Sequence, residues 1–195
     1  MADPLLPLGD GHTELTDDDR EGLLPSYIST RGELNDAEQR NITEALLLTP
    51  PTVEELLDDA YLRSLHRAMF GEVWSWAGRY RLRETNIGID PILISAEVRT
   101  LVDNASAWIE HDSFDPDELC TRFHHRLVEI HAFPNGNGRH GRIAADHLVT
   151  ALGRNSFSWG ANGHADPSAV RKGYVSALVR ADRGHFDDLM TFARS

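Results

Sequence analysis

The chain has 195 residues, of which 41% are hydrophobic, and this is enough to bury the core of one domain without disulfides or a structural metal. The formal net charge of −12 disfavours binding to nucleic acid, and no apolar run approaches the roughly 18 residues of a membrane-spanning helix. The single cysteine, Cys120, excludes an internal disulfide. Together with an N-terminus that lacks the pattern of a secretory signal, it predicts a cytoplasmic protein.

The first two segments differ in composition. Residues 1–26 hold seven acidic residues and one basic residue among several prolines and glycines, and they predict an extended acidic arm. Residues 27–50 predict a helical segment. Asn35 is a favoured residue at a helix N-cap, and the proline pair at 50–51 ends the helix.

The third predicted unit, residues 51–195, carries a series of amphipathic helices. They are predicted over residues 53–69, 95–109, 116–130, 139–152 and 186–193, with a further helix beginning at the Asp166-Pro167 pair. Between residues 79 and 94 the helical period is broken by Trp, Gly, Asn and Pro, and a short hairpin or flap is predicted there. The predicted fold class is therefore all-α, with six to eight helices and one small β-hairpin flap.

The most informative stretch is HAFPNGNGRHGR, which begins at His131. One predicted helix ends here, a Gly-Asn-Gly turn follows, and the next helix begins. Gly136 and Gly138 have no side chain, so their backbone N–H groups can approach a ligand closely and form a concavity for anions. The following helix adds the positive end of its dipole and its unpaired N–H groups.

Four side chains extend this predicted anion site. Arg139 and Arg142 each carry a guanidinium that grips phosphate oxygens with two bonds, and Asn137 can donate to another oxygen. His131 stands just before the turn, and its reference pKa of about 6.5 leaves it mostly neutral at pH 7 and able to accept a proton. A general base beside a phosphate cradle predicts that an incoming hydroxyl attacks phosphorus.

Other interpretations fit parts of this stretch. Gly136-x-Gly138-x-x-Gly141 matches the dinucleotide-binding fingerprint, but that motif follows a buried strand, whereas an amphipathic helix precedes it here. The GK[ST] ending of a Walker P-loop is absent. The remaining alternative is an ordinary corner between two helices with surface arginines. The fixed offsets of His131, Phe133 and the two arginines favour the anion site.

The same stretch resembles the Fic motif, HxFx(D/E)GNGRxxR, and every position except one agrees. The wider sequence, with LHRAMFGEVWSWAGRYR, a flap region and HHRLVEIHAF, is similar to the Fic family from about Val53 to Leu152. The resemblance implies an all-α fold with a β-hairpin flap over about residues 85–94. It also implies transfer of AMP from MgATP to a Tyr, Ser or Thr hydroxyl of a target protein.

The resemblance also implies a role for each matching residue. His131 is implied as the general base. Asn137, with the backbone of Gly136 and Gly138, is implied to bind the α- and β-phosphates, and Arg139 and Arg142 the outer phosphates. The flap residues implied to dock the target segment are Thr85, Asn86, Ile87, Gly88 and Ile89.

One position departs from the motif. Asn135 stands where the family usually has the Asp or Glu that holds the metal. Because Mg²⁺ prefers a carboxylate, the neutral amide oxygen predicts a weakened Mg²⁺ site. This departure keeps open a second function, a Fic-fold phosphotransferase that uses another phosphate donor.

A second motif lies near the N-terminus. The residues 29–33, STRGE, match the first part of an inhibitory pattern of some Fic proteins, (S/T)xxxE(G/N), before Leu34 breaks it. The hypothesis is that Glu33 pairs with Arg142 and occupies the place of the outer phosphate. The alternative is local, because Thr30-x-x-Glu33 is also a helix capping box.

The segments STRGELN and HAFPNGNGRHGR are similar to a mobile-element-associated Fic group called mobile mystery protein B. That group tends to accompany a helix-turn-helix regulator, so the similarity implies a regulator or antitoxin as partner. The similarity also keeps open a third function, in which the protein is a toxin–antitoxin component that acts mainly by binding a partner. The predicted function is a protein adenylyltransferase that uses ATP and acts on a target protein.

Overall fold

The computed structural model describes residues 16–49, 51–161 and 166–195. Within these ranges the chain forms nine α-helices and one 3-10 turn, Pro91–Leu93. The helices are α1 Asp17–Glu21, α2 Arg31–Ala45, α3 Val53–Leu56, α4 Asp59–Phe70, α5 Ile94–Glu110, α6 Pro116–Ile130, α7 Asn137–Ala151, α8 Pro167–Ala181 and α9 Asp187–Arg194. The all-α prediction is confirmed. No described helix is long and apolar enough to cross a membrane.

Local start signals set the beginnings of two long helices. The side chain of Asp115 accepts a hydrogen bond from the backbone N–H of Asp117 at the start of α6, and Asp166 does the same for Ser168 in α8. In both helices a proline occupies the first position, where its missing N–H has no intrahelical partner to lose. These two starts lie where the aspartate–proline pairs predicted them.

The helix of the second segment begins earlier than predicted. Its N-cap is Thr30 rather than Asn35, because the Thr30 hydroxyl accepts from the N–H of Glu33 while the Glu33 carboxylate accepts from the N–H of Thr30. This reciprocal pair satisfies two N–H groups that the helix end leaves without intrahelical partners. Thr30 with Glu33 is therefore a more favourable helix start than Asn35, whose side chain could satisfy only one.

The predicted helix over residues 53–69 is two helices. Leu57 leaves the helical region of backbone space with ψ of 52°, and Asp58 then caps α4 through the N–H of Ala60. The apolar spacing continues across the break, so periodicity alone did not reveal it.

The described part of the acidic arm is packed against the domain. Residues 16–26 contain α1 and an isolated antiparallel bridge between Leu23 and Trp74. The indole N–H of Trp76 donates to the carbonyl of Asp19 at 2.9 Å. These residues are therefore not an extended arm, and residues 1–15 of the predicted arm lie outside the described ranges.

The core surrounds the connection between α6 and α7. These two helices pack on each other, α5 packs on α6, α2 on α4, and α8 on α9. Phe70, Trp74, Phe123 and Leu148 are fully buried between them. Residues 131–136 join α6 to α7 and are held on this core, which places the predicted motif at the centre of the domain.

Four buried histidines make the fold sensitive to acid. Burial lowers the pKa of His124 to about 3 and those of His131 and His140 to about 4, and it lowers the pKa of His66 well below its ordinary value. In the unfolded chain these imidazoles titrate near 6.5, so their contribution to stability is fully present above about pH 6.5 and is lost as the pH falls toward 4. Asp146 opposes this trend, because burial raises its pKa to about 6.

The expected result is a free energy of unfolding several kcal/mol lower at pH 5 than at pH 7.5. Each histidine with a pKa near 4 contributes about 2 kcal/mol to this loss. Denaturant unfolding at the two pH values measures it, with replacement of the exposed His185 by alanine as a control that keeps the difference. Equal unfolding free energies at both pH values would show that these histidines are not held neutral by the fold.

Candidate functional site

A cavity of about 820 Å³ lies where the 131–136 connection meets the start of α7. All seven residues predicted to serve in catalysis, metal binding or nucleotide binding line it, and so do Ile87 and Gly88 of the predicted flap. The start of α2 and one face of α8 complete its walls. The structure therefore brings the motif residues together around one open space.

The start of α7 is open to this cavity. The helix begins at Asn137 after Gly136, whose φ is 80°, and no side chain caps it. A Cβ on Gly136 would lie 2.6 Å from the Phe70 ring, so this glycine is also required for packing the turn on the core. The nearest atom to a Cβ on Gly138 would be the hydroxyl of Tyr174 at 3.8 Å. The space beside Gly138 is therefore free for an anion at the N–H groups of the helix end.

The side chain of Asn137 closes the turn. Its Oδ1 accepts from the N–H of Phe133 at 2.9 Å, and its Nδ2 donates to the Phe133 carbonyl at 2.8 Å. The predicted hydrogen bond from Asn137 to a phosphate oxygen would therefore use an amide that is already bonded to the loop backbone. Phe133 itself is 2% exposed, as expected for an anchor of the turn.

His66 supports the same turn from α4. Its ring stacks on Phe133 with centroids 3.8 Å apart. Its Nδ1 accepts from the N–H of Gly78 at 3.1 Å, so its Nε2 carries the proton and donates to the carbonyl of Asn135 at 3.0 Å. No role was predicted for His66 from the sequence, although it lies in the stretch LHRAMF that carries the family resemblance.

His131 ends α6 in the left-handed conformation, with φ of 54° and ψ of 55°, and its side chain is 4% exposed at the cavity wall. Burial first, and then the charge of Arg81, lower the pKa of the imidazole to about 4, while a hydrogen bond to the Val128 carbonyl acts in the opposite sense. The ring is therefore neutral at pH 7, and the nitrogen that does not donate to Val128 is able to accept a proton.

Arg81 holds the backbone around His131. Its side chain is buried, and its Nε donates to the His131 carbonyl at 2.7 Å. Its Nη1 donates to the carbonyl of Arg83 at 2.8 Å, and its Nη2 to that of Ile89 at 2.5 Å. One guanidinium therefore ties the flap to the residue predicted as the base. This role of Arg81 was not predicted from the sequence, where the only signal is its place in WAGRYR, shortly before the flap.

The β-hairpin form of the flap is not confirmed, because residues 79–90 contain no strand. The segment instead bonds to the end of α6. The N–H of Arg81 donates to the Ala132 carbonyl at 2.9 Å, and that of Ile89 to the Ile130 carbonyl at 3.4 Å. Gly88 has a φ of 107°, and a Cβ there would lie 2.6 Å from the Cβ of His131. The flap backbone therefore lies directly against the candidate base.

The other flap residues form the outer part of this loop. The hydroxyl of Thr85 donates to the Ile87 carbonyl at 2.6 Å. Asn86 is exposed, and the Ile87 side chain is 40% exposed at the rim of the cavity. Ile87 and Gly88 are thus the flap residues that share the cavity with His131.

Arg139 is held by a carboxylate from α2. Its Nη1 lies 2.6 Å from Oε2 of Glu38, whose Oε1 accepts from the indole N–H of Trp74 at 2.7 Å. Glu38 is 2% exposed, and the guanidinium lies 4.8 Å from the centre of the Phe70 ring. Arg139 keeps 30% of its side-chain surface and still lines the cavity. The sequence analysis did not include Glu38.

Arg142 lies one helical turn further along α7. Its guanidinium lies 5.5 Å from the ring centre of Tyr174 on α8. The Tyr174 hydroxyl is 3.0 Å from Nε2 of His124 on α6. Arg142 is therefore flanked by α8 and remains at the cavity wall.

Glu33 does not form the predicted pair with Arg142. Its carboxylate accepts from the backbone N–H of Ser29 at 2.8 Å and of Thr30 at 2.9 Å, and Glu33 is not part of the cavity wall. These hydrogen bonds, that from the Ser29 N–H first, lower its pKa. The capping box is thus the correct interpretation, and the ion pair between α2 and the motif is made by Glu38 with Arg139 instead.

Asn135, the predicted metal ligand, is poorly suited to bind a metal ion. Oδ1 of Asn135 accepts from the N–H of Gly136 at 2.5 Å. Over the described ranges, no group of three or more His, Cys, Asp and Glu side chains is placed to share an ion. Because Mg²⁺ prefers carboxylate oxygens, one amide oxygen that is already an acceptor does not fit a resident Mg²⁺.

The described chain is thus a helical domain in which a neutral histidine and an uncapped helix start share one cavity. Residues 56–149 match the Fic/DOC family. The BepC protein of Bartonella tribocorum, a VirB-translocated effector crystallised with AMPPNP, has a TM-score of 0.68 at 16% identity and covers 92% of this chain and 97% of its own. The N-terminal Fic domain of a cell filamentation protein from Bartonella quintana, with bound ADP, has a TM-score of 0.67 at 18% identity over 87% of this chain and 86% of its own.

One curated relative is the protein adenylyltransferase fic-1 of Caenorhabditis elegans. It is 28% identical over an alignment of 115 residues that covers 55% of this chain and 22% of that protein. The chain thus corresponds to about 22% of the length of this relative. The family match and the likeness to these Fic structures support a Fic domain that includes residues 56–149.

Proposed function

We propose that this Fic domain transfers AMP from ATP to a hydroxyl side chain of a target protein, with His131 as the general base. The observation that carries the proposal is that a neutral imidazole and an uncapped helix start line the same cavity. The likeness to a protein adenylyltransferase, and to Fic structures with bound AMPPNP and ADP, supports it. A cavity of about 820 Å³ is large enough for a nucleotide.

The reaction begins when a target hydroxyl lies between the flap and His131. The imidazole takes the hydroxyl proton while the oxygen forms a bond to the α-phosphorus, and the bond from that phosphorus to the bridging oxygen breaks. Backbone N–H groups at the start of α7 stabilise the charge on the phosphate, and Arg139 and Arg142 stabilise the leaving pyrophosphate. Because burial and Arg81 disfavour the charged imidazole, it returns its proton readily to solvent.

The test is incubation with ATP labelled separately at the α- and γ-phosphates. Label from the α position on protein is the expected result. Label from the γ position would identify a phosphotransferase, the second candidate, which the amide at Asn135 favours. Label from neither position, with ATP bound, would contradict both and favour a component that acts by binding a regulator or antitoxin. The target protein and such a regulator are the partners that we propose.

Asn135→Asp is expected to lower the Mg²⁺ concentration needed for half-maximal ATP binding by roughly tenfold, because a carboxylate replaces an amide oxygen. Mg²⁺ supplies charge neutralisation to a phosphate chain when it is bound. A titration of ATP affinity against Mg²⁺ measures the change. Asn155→Asp, which adds the same charge at an exposed residue outside the cavity wall, is the control. An unchanged Mg²⁺ requirement in Asn135→Asp would remove Asn135 as the reason for weak metal binding.

Glu33→Gly is expected to leave automodification unchanged, because the Glu33 carboxylate is bound by the N-cap of its own helix. The variant loses the capping box, so a small decrease in melting temperature is expected. Glu44→Gly on the exposed face of α2 is a control for the loss of helix propensity. A rise in automodification in Glu33→Gly alone would restore the inhibitory role that the sequence suggested.

A further inference from the structure

We propose that Arg31 and Arg171 form a second pair of phosphate ligands outside the Fic motif, which makes the cavity selective for a nucleoside triphosphate. The inference rests on the proposed nucleotide-transfer function, and it specifies that these two residues recognise the terminal phosphates of the nucleotide. Arg31 is the first residue of α2, and Arg171 lies in the first half of α8.

The two residues reach the cavity from two different helices, α2 and α8. Both line it together with Arg139 and Arg142, and both side chains are partly buried. Four guanidinium groups from three helices therefore border the space in front of the α7 start. Two of them come from elements that are distant in sequence from the motif, which is why the sequence did not reveal them.

The charges of these arginines influence one another. Burial lowers the pKa of Arg31, and Arg139 and Arg171 lower it further, against the opposite effect of Glu38. Burial also lowers the pKa of Arg171, and Arg142 adds to that effect. The charge of Arg31 therefore interacts with those of Arg139 and Arg171, and the charge of Arg171 interacts with that of Arg142. Like charges gathered around one cavity repel each other, and a polyanion at their centre relieves this repulsion.

Three carboxylates near this cluster each form a hydrogen bond or an ion pair. Glu38 is bonded to Arg139 and to the Trp74 indole. Of the acidic residues on the cavity wall, Glu129 forms an ion pair with Arg126 at 2.6 Å, and Asp182 accepts from His125 at 2.7 Å. The cavity therefore offers a concentration of positive charge on a chain whose formal net charge is −12.

The extra arginines act on the outer phosphates. The N–H groups at the start of α7 serve the phosphates nearest His131, and Arg139 is partly committed to Glu38. Arg31 and Arg171 supply further guanidinium forks for the terminal phosphates. Affinity should then rise steeply from AMP to ADP to ATP.

The test is calorimetric titration of the full chain with ATP, ADP, AMP and inorganic tripolyphosphate. Arg31→Gln and Arg171→Gln are each expected to weaken binding of ATP and tripolyphosphate by about tenfold and to change AMP affinity by less than about twofold. The controls remove the same charge from the same helices outside the cavity wall: Arg40→Gln on α2 and Lys172→Gln on α8. Both are expected to bind ATP as the parent does.

Parental ATP affinity in Arg31→Gln and Arg171→Gln would overturn the inference, and so would an equal loss for AMP and ATP. If a glutamine variant does not fold, the lysine variant at the same position takes its place and is expected to bind ATP less tightly than arginine does. If only the transfer function is wrong, phosphate-dependent affinity persists without transfer of α-label. If only this inference is wrong, α-label is transferred while both glutamine variants keep parental affinity. A parent that binds neither ATP nor tripolyphosphate contradicts both.

Discussion

Replacing His131 with alanine is expected to reduce AMP transfer by a factor of about 10²–10⁴ and to leave ATP affinity close to parental. In the proposed mechanism the imidazole accepts the proton of the incoming hydroxyl, whereas the start of α7 and the arginines of the same cavity bind the phosphates. Initial rates with α-labelled ATP measure the loss in transfer, and calorimetry measures binding. A loss of transfer together with unchanged ATP affinity would identify His131 as a base rather than as a group that binds ATP.

His111→Ala is the matched control, because His111 is exposed and does not line the cavity. It is expected to transfer AMP at the parental rate. A free-enzyme pKa of about 4 for His131 also means that its neutral form is present throughout the neutral range, so its titration should affect the rate only in acid. Transfer at the parental rate by His131→Ala would eliminate the residue as the base.

Replacing Arg81 with methionine is expected to lower both the free energy of unfolding and the rate of transfer. The change removes the donor from the backbone carbonyls of His131, Arg83 and Ile89. A buried carbonyl left without its partner costs about 1–3 kcal/mol, so a loss of several kcal/mol in the free energy of unfolding is expected. Transfer should fall as well, because the left-handed backbone at His131 and the flap lose their common anchor.

Two other variants make this result specific. Arg83→Met removes an exposed guanidinium two residues away that pairs with Asp19 at 3.0 Å, and a surface pair of this kind contributes about 1 kcal/mol or less. Arg81→Lys keeps a charge and three donors but not the planar fork, so it should recover part of the stability and less of the transfer rate. Parental unfolding free energy and transfer in Arg81→Met would contradict the positioning role.

The parts of this structure that depend on local signals could be predicted from the sequence. The aspartate–proline pairs fixed the starts of α6 and α8, because a side-chain cap and a proline act within one helical turn. The seven residues predicted for catalysis, metal binding and nucleotide binding also line one cavity, since their spacing places them on a single turn and the helix that follows.

The parts that depend on packing between distant elements could not be predicted. Glu38 and Arg139 are 101 positions apart, and their pairing depends on the packing of α2 on α4, which in turn packs on α7. Arg81 is 50 positions from His131, and nothing local indicates that its guanidinium binds backbone carbonyls. Glu33 shows the reverse problem, because one short pattern fitted both an inhibitory motif and a helix cap, and only the structure distinguishes them.

The central claim is that the start of α7 holds the phosphate chain of a nucleotide in front of the His131 imidazole. A crystal structure with an ATP analogue whose α–β bridge resists cleavage tests it most directly. The expected density places phosphate oxygens within hydrogen-bonding distance of the backbone N–H groups at Gly138 and Arg139, with the free imidazole nitrogen beside the α-phosphate. An analogue bound elsewhere, or an imidazole that points away from the phosphates, would contradict the account.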